Sequence, residues 1–232
     1  MIGMHPTHRL DLTVERLVRD MDAYRIAAGV AVSTIGVFHN DTLGNAAVLE
    51  ASKGGNRILP AATINPKTFF GSSSDLSAIR EQGFRIFRFF PTEQGWPIDS
   101  PAFGAILKLL APAKPPIMVD IAQPGDVGLV ARATVDYPAP VILCGVSLDT
   151  LAGALAAMSE SSNLVIETHE LRVPGALTLI TERCGADRIV FGSGAPRSSA
   201  ASSLQYIFSS ALADEDKQKA LGGNIKRILE AA

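Results

Sequence analysis

The sequence predicts an α/β fold in which parallel strands alternate with crossover helices. Short runs of β-branched and aliphatic residues alternate with longer amphipathic segments throughout the chain. One strand and one helix together take about 25 to 30 residues, so the 232 residues have room for eight such units. The 20 Gly and 14 Pro residues are enough to provide the turns between them. With 47% apolar and 19% charged residues, the chain can also bury a large core.

The first helix is predicted from Leu12 to Tyr24. Val14, Leu17, Val18 and Met21 recur there at helical spacing, so they form one apolar face. Charged residues fill the positions between them, as on a helix that has its other face in solvent.

Glycines mark the boundaries of several elements. Gly29 closes the first helical unit and opens the strand Gly29 to Ile35. Gly54 and Gly55 end the following helix, since glycine readily adopts the left-handed conformation at a helix C-terminus. Gly83 directly precedes another predicted strand.

Eight strands are predicted, of which the first is the weakest. Their ranges are residues 1–4, Gly29–Ile35, Ile58–Ala62, Phe84–Phe90, Ile117–Ile121, Val141–Leu143, Leu164–Glu167 and Ile189–Phe191. The predicted helices are Leu12–Tyr24, Asn45–Lys53, Asp75–Gln82, Pro101–Leu110, Asp126–Val135, Leu148–Met158, Ala176–Cys184, Ala201–Ala211 and Glu215–Leu221, with a last turn at Asn224–Leu229.

Two architectures have this order of elements. A closed (β/α)8 barrel and a doubly wound open sheet both alternate strands and helices, so this alternation alone does not distinguish them. The chain has no linker or low-complexity tract, so we expect one domain over residues 1–232.

Composition excludes several classes of partner. A net charge of -2, from 21 basic and 23 acidic residues, gives no basic surface for nucleic acid. The longest apolar stretch, Ile26 to Phe38, is shorter than a membrane span needs and contains Ser33 and Thr34. We therefore expect no membrane partner.

The chain is expected to reside in a reducing cytoplasm, because it contains only two cysteines, Cys144 and Cys184. Residues 1–11 show no targeting signal.

Three motifs in the C-terminal third occur in a recognisable order. They are Asn163-Leu-Val-Ile-Glu-Thr168, Gly185-Ala-Asp-Arg-Ile-Val-Phe-Gly-Ser193 and Leu221-Gly-Gly-Asn224. Together they resemble the amidohydrolase-related hydrolases and decarboxylases, and residues 18–26, 61–66 and 83–91 agree with the first helix, third strand and fourth strand of that family. The resemblance implies a (β/α)8 barrel with its site at the C-terminal mouth.

The sequence departs from the family at the metal ligands. The resemblance implies a divalent metal held by Asp-x-His-x-His on the first strand, histidines ending the fifth and sixth, and an aspartate ending the eighth. Here the first motif is replaced by His5-Pro-Thr-His8, which lacks the aspartate and has the wrong spacing for one strand face. Asp120 stands at the fifth strand, and Cys144 or Gly145 at the sixth. The eighth-strand motif reads Phe191-Gly-Ser-Gly194, without a carboxylate.

Asp120 and His169 are the candidate catalytic residues. His169 follows the seventh predicted strand, and Asp120 ends an apolar strand where an unpaired carboxylate would be costly. With His5 they are also the candidate ligands for zinc or another divalent metal, and binding of no metal is the alternative. Solvent exposure is the alternative for His5 and His8, and a structural hydrogen bond is the alternative for His169. His39, in a loop, is expected to make a local hydrogen bond.

Arg88, Glu167, Cys144 and Ser193 are the candidate substrate-binding residues. Arg88 matches a position where the family commonly has lysine, and it can bind an anionic group bidentately. A buried ion pair with Asp120 is its alternative role. Cys144 could instead be a small core residue.

The resemblance implies a small-molecule hydrolase, or a decarboxylase, with a rebuilt or reduced metal site. Loss of the eighth-strand carboxylate favours the alternative, a catalytically inactive barrel that binds a small ligand or a partner protein. Metal-independent aldolase or isomerase chemistry would need a lysine at a strand end, and none is well placed. The expected partner is a small molecule, anionic if Arg88 binds it, and homo-oligomer formation is left open.

Overall fold

Seven parallel strands form one sheet in which neighbours in space are neighbours in sequence. The computed structural model describes residues 1–6, 11–55, 57–195 and 198–232. The strands are β1 Gly29–Ala31, β2 Ile58–Thr63, β3 Ile86–Phe89, β4 Ile117–Asp120, β5 Val141–Cys144, β6 Leu164–Glu167 and β7 Ile189–Val190. This sequential order is that of a (β/α) barrel, because a doubly wound sheet reverses its strand order at a switch point.

The predicted first strand is reduced to two isolated bridges. Ile2 bridges Ser33 in parallel, and Gly3 bridges Leu12 antiparallel. The amide of Ile2 donates to the carbonyl of Val32 at 2.9 Å. Residues 2 and 3 therefore lie beside the end of β1, on the side where the first strand of a barrel is expected.

Twelve α-helices are present in the described part of the chain. They are α1 Val14–Ala23, α2 Thr34–Phe38, α3 Asp41–Ser52, α4 Ser73–Glu81, α5 Pro91–Gln94, α6 Pro101–Leu110, α7 Asp126–Ala133, α8 Leu148–Glu160, α9 Ala176–Cys184, α10 Ala200–Phe208, α11 Asp214–Gln218 and α12 Asn224–Glu230. A π-helical turn, Lys219–Gly223, joins the last two. None of the helices searched has the length and apolar character needed to cross a membrane.

The strand predicted from Gly29 to Ile35 is wrong in its second half. β1 ends at Ala31, and α2 starts at Thr34 because the Ser33 side chain accepts a hydrogen bond from the amide of Ile35 at 3.2 Å. The short helix α5 was also not predicted. Its Pro91 stands at the first turn, where a proline fits a helix without losing a backbone hydrogen bond.

The apolar residues divide into two layers because successive strand residues face opposite sides of the sheet. The larger cluster lies between strands and helices and includes Phe87, Phe89, Val119 and Leu143. The smaller cluster fills the barrel interior and includes Ala61, Ile86, Met118, Ile142, Val165, Val190 and Ile228 of α12. At the next inward-facing position, two residues further along several strands, the side chain is polar instead of apolar. These polar side chains form the candidate site.

Candidate active site

Four neighbouring strands each direct one polar side chain into the barrel at their C-terminal ends. These are Arg88 on β3, Asp120 on β4, Cys144 on β5 and Glu167 on β6. Each stands two residues after a member of the interior apolar cluster, so it points the same way. Asp120 and Cys144 are direct partners in the β4–β5 register. The four side chains therefore rest on the apolar interior and face the barrel mouth.

Arg88 and Asp120 form a bidentate ion pair. Nε of Arg88 donates to Oδ2 of Asp120 at 2.8 Å, and Nη2 donates to Oδ1 at 3.0 Å. The Arg88 guanidinium also lies over the Phe90 ring, 5.0 Å from its centroid. Burial opposes the charge on Arg88, but Asp120 outweighs it and raises the pKa of the guanidinium above its ordinary value. The ion pair named above as the alternative role of Arg88 is thus present.

Glu167 and His169 form a second, more deeply buried pair. The amide of His169 donates to Oε1 of Glu167 at 2.8 Å, and Nδ1 of His169 donates to Oε2. Their relative exposures are 5% and 6%. Burial alone would lower the pKa of His169, but the hydrogen bond and charge of Glu167 raise it above its ordinary value. Because Nδ1 is committed to Glu167, Nε2 is the atom of His169 that can exchange a proton with a ligand.

Three glycines let the backbone approach this pair closely. A Cβ at Gly192 would lie 1.0 Å from Oε1 of Glu167, so the carboxylate occupies the space above this glycine. Gly194, with φ +63°, would place a Cβ 3.2 Å from Cδ2 of His169. Gly145, with φ +88°, would place one 3.8 Å from Cε1. The two carbons that flank Nε2 therefore face glycines, and Nε2 itself lies 3.9 Å from Oε1 of Glu170.

Cys144 lies below the two pairs as a fully buried thiol. Burial raises its pKa well above the ordinary value, while the charge of Arg88 acts in the opposite direction. Asp120 and Glu167 also act on this pKa, so the strand-end groups share one electrostatic environment. Cys144 therefore keeps its proton near neutral pH, which does not suit a thiolate nucleophile.

The remaining candidates make local contacts of their own. His5 packs its ring edge-on against Phe38 of α2, with 5.0 Å between ring centroids. The Ser193 hydroxyl accepts a hydrogen bond from the amide of Ala195 at 3.1 Å, which stabilises the local turn. His39 is exposed at the end of α2. His8 lies outside the described residues.

The fold and the site together define an α/β barrel with a polar cluster at the C-terminal ends of its strands, the arrangement of barrel enzymes. The amidohydrolase family model matches residues 6–230. The chain therefore belongs to the amidohydrolase family. A comparison with curated proteins found no match.

Several solved structures share the fold at low sequence identity. A candidate 2-pyrone-4,6-dicarboxylic acid hydrolase from Pseudomonas putida has a TM-score of 0.77 and 15% identity, over 97% of this chain and 91% of that one. The 5-carboxyvanillate decarboxylase of Novosphingobium aromaticivorans, with bound manganese and 3-methoxy-4-hydroxy-5-nitrobenzoic acid, has a TM-score of 0.74 and 17% identity, over 94% and 82%. An uncharacterised barrel protein from Bordetella bronchiseptica has a TM-score of 0.76 and 17% identity, over 94% and 83%.

The donor atoms described here do not fit a divalent ion of the kind the family implies. Both carboxylate oxygens of Asp120 accept hydrogen bonds from the positively charged Arg88, and both carboxylate oxygens of Glu167 accept hydrogen bonds from His169. Among residues 1–6, 11–55, 57–195 and 198–232, no three His, Cys, Asp or Glu side chains are grouped so that they could hold a metal.

The sequence analysis named the main polar residues and offered the Arg88–Asp120 ion pair as an alternative, but it did not predict the Glu167–His169 pair. The Glu-x-His spacing of Glu167 and His169 was a usable signal, since residues two apart on an extended segment face the same side. The spacing of Arg88 and Phe90 was a signal of the same kind for their contact. The contact between Gly192 and the Glu167 carboxylate gave no such signal, because it joins residues from different strands.

Proposed function

We propose that this barrel is a metal-independent hydrolase of small carboxylate-bearing molecules, with His169 as its general base. The observation that carries the proposal is the buried Glu167–His169 pair at the barrel mouth. A carboxylate that holds one ring nitrogen of a histidine fixes the tautomer and stabilises the imidazolium that forms.

In the proposed reaction, Nε2 of His169 takes a proton from a water molecule as that water attacks a substrate carbonyl. Glu167 stabilises the resulting imidazolium through Nδ1. When the tetrahedral intermediate collapses, His169 returns the proton to the leaving oxygen or nitrogen. A positioned base of this kind contributes about 10²- to 10⁴-fold in rate.

Arg88 is proposed to bind the carboxylate of the substrate. Its Nε and Nη2 are engaged by Asp120, and no described residue accepts a hydrogen bond from Nη1. The side chain as a whole retains 18% exposure, so part of the guanidinium-bearing side chain can be reached by a ligand. Two of the similar structures have names that include carboxylic acids, one as the dicarboxylic acid of a candidate hydrolase and one as a bound benzoic acid. Arg88 gives this chain a means of recognising that group.

The second candidate function is a barrel that binds a small carboxylate without reacting with it. Gly194, at the position where the family resemblance implies an aspartate, favours this alternative because the site then has one base fewer. Both candidates require binding at Arg88, but only the first requires proton transfer by His169.

The test is a screen of lactones, esters, amides and aromatic carboxylates with protein kept in a metal chelator. Release of acid or CO2 is measured for the parent, His169→Ala and Glu167→Gln. The proposal predicts chelator-resistant hydrolysis that falls about 10²- to 10⁴-fold in His169→Ala. His39→Ala is the matched control, since this histidine is exposed and outside the pair, and it should retain parent activity. Binding of a carboxylate without turnover would support the second candidate, and turnover that survives His169→Ala would contradict the first.

A further inference from the structure

We infer that the Arg88 guanidinium is the fixed cation of this site and takes the electrostatic place of a divalent metal, with Asp120 as its counter-ion. The inference concerns the same site as the proposed function and deepens it. It rests on that proposal only for the position of the site, because it does not require that a substrate be turned over.

The first argument is the balance of charge. Two buried carboxylates, Asp120 and Glu167, each have a cationic or hydrogen-bonding partner from the protein itself. A third carboxylate, the more exposed Glu170, lies 3.9 Å from Nε2 of His169. Arg88 neutralises Asp120 through two hydrogen bonds. A divalent ion placed here would meet a positive charge that cannot be removed, since a guanidinium does not deprotonate in a protein.

The second argument is that Arg88 is built into the site. Its side chain is 18% exposed and that of Asp120 is 14% exposed, so the pair is largely withdrawn from solvent. The Phe90 ring supports the guanidinium from below, at 5.0 Å from its centroid. A flexible surface arginine could swing away to admit a metal, but a bidentate and stacked one is held in place.

The third argument concerns the carboxylate oxygens of Asp120, which would lose their hydrogen bonds if Arg88 were removed. Asp120 would regain two free carboxylate oxygens, and it already acts electrostatically on His169. Since the described residues do not group these side chains as metal ligands, a metal would bind only after they move together. Carboxylate oxygen and imidazole nitrogen are suitable donors for zinc, cobalt or manganese. The inference therefore predicts that the site gains metal affinity when its own cation is removed.

The experiment measures metal binding rather than activity. Parent protein, Arg88→Met and Arg88→Lys are stripped with a chelator and titrated with Co²⁺ and Mn²⁺ by calorimetry, with elemental mass spectrometry of protein dialysed against each ion. We expect Arg88→Met to bind Co²⁺ at least about tenfold more tightly than the parent. That lower bound corresponds to removing one like charge about 6 Å from a divalent ion under full water screening. Arg88→Lys keeps a positive charge but loses the bidentate contact and can release its proton, so its gain in Co²⁺ affinity should be smaller than that of Arg88→Met.

Two further variants keep the test decisive. Arg57→Met removes an arginine from a surface ion pair with Asp22 and should leave metal affinity unchanged. Arg88→Met/Asp120→Asn replaces both members of the buried pair with neutral side chains, and it should lose the metal affinity gained in Arg88→Met. If Arg88→Met does not fold, the parent itself decides between the outcomes. About one metal per chain in the chelator-stripped and reloaded parent overturns the inference, and no stoichiometric binding supports it.

The outcomes separate this inference from the proposed function. A gain of metal affinity in Arg88→Met supports the inference even if no substrate is hydrolysed by the parent. Hydrolysis by the parent, with no gain of metal affinity in a folded Arg88→Met, overturns the inference and leaves the proposed function standing.

Discussion

Removal of Asp120 should destabilise the protein much more than removal of the whole ion pair. In Asp120→Ala, the charge on Arg88 stays largely buried and loses two hydrogen bonds, of 2.8 and 3.0 Å. Breaking a fully buried pair in this way costs about 3–5 kcal/mol. Because the two side chains keep 18% and 14% exposure, water recovers part of this cost, and we expect a loss of about 2–4 kcal/mol in the free energy of unfolding.

The double variant Arg88→Met/Asp120→Leu supplies the contrast. It removes both charges and replaces them with apolar side chains next to the interior cluster that contains Met118 and Ile142. Replacing a buried ion pair by hydrophobic residues is often neutral or stabilising, so the double variant should lie within about 1 kcal/mol of the parent.

Urea unfolding, followed by far-ultraviolet circular dichroism, measures the free energies of unfolding of the parent and of both variants. For a chain of this size, the Asp120→Ala loss also corresponds to a fall in Tm of about 6–12 °C. A loss below about 1 kcal/mol in Asp120→Ala would refute the reasoning, because it would mean that solvent reaches Arg88 freely. A double variant as unstable as Asp120→Ala would also refute the reasoning, since the loss of stability would then come from altered packing and not from the unpaired charge of Arg88.

Three other predictions follow from the Glu167–His169 pair and from Cys144. Gly192→Ala should displace the Glu167 carboxylate, because a Cβ would lie 1.0 Å from its Oε1. It should lower the free energy of unfolding, measured in urea, by about 1–3 kcal/mol. An unchanged stability would show that the carboxylate can move freely. The raised pKa of His169 in the folded state means that its charge stabilises the fold fully below the ordinary pKa of 6.5, and that this contribution is lost as the pH rises through the higher folded value. Proton NMR titration should find the His169 pKa above 6.5 in the parent and lower in Glu167→Gln, and equal values would contradict the pairing. Cys144 is buried and Cys184 is partly exposed, so an aromatic disulfide reagent should label Cys184 first in the folded protein and both at similar rates in urea; equal labelling of the folded protein would argue against the buried position of Cys144.

Local sequence signals placed many of the elements well. The predicted strand Leu164–Glu167 and the predicted helices Pro101–Leu110 and Ala176–Cys184 have the bounds that the structure shows. These elements have regular apolar periodicity, and Pro101 stands in the first turn of its helix, where it is favoured. Prediction failed where a long apolar run hid a change of structure, at Ser33, which caps α2 instead of continuing β1.

The position of the site could also be predicted from the sequence in part. The family resemblance and the ends of the apolar strands singled out Arg88, Asp120, Cys144 and Glu167, and each lies on one of four neighbouring strands, with Cys144 packed in the interior apolar cluster. His169 follows two residues after Glu167, and their pairing depends on local geometry alone. Whether these residues act in catalysis stays a prediction for the variants described above.

The sequence by itself determined the class of fold, the family and the strand ends at which polar residues occur, because these depend on periodicity and on motifs within a short stretch of chain. Only the tertiary structure decided which of these polar residues pair. Arg88 and Asp120 are 32 positions apart and meet because β3 and β4 are adjacent strands. Gly192 meets the Glu167 carboxylate because β6 and β7 are adjacent strands. A buried charge takes the partner that the sheet brings within hydrogen-bond distance, and that choice determines whether Asp120 is a counter-ion for Arg88 or free for other chemistry.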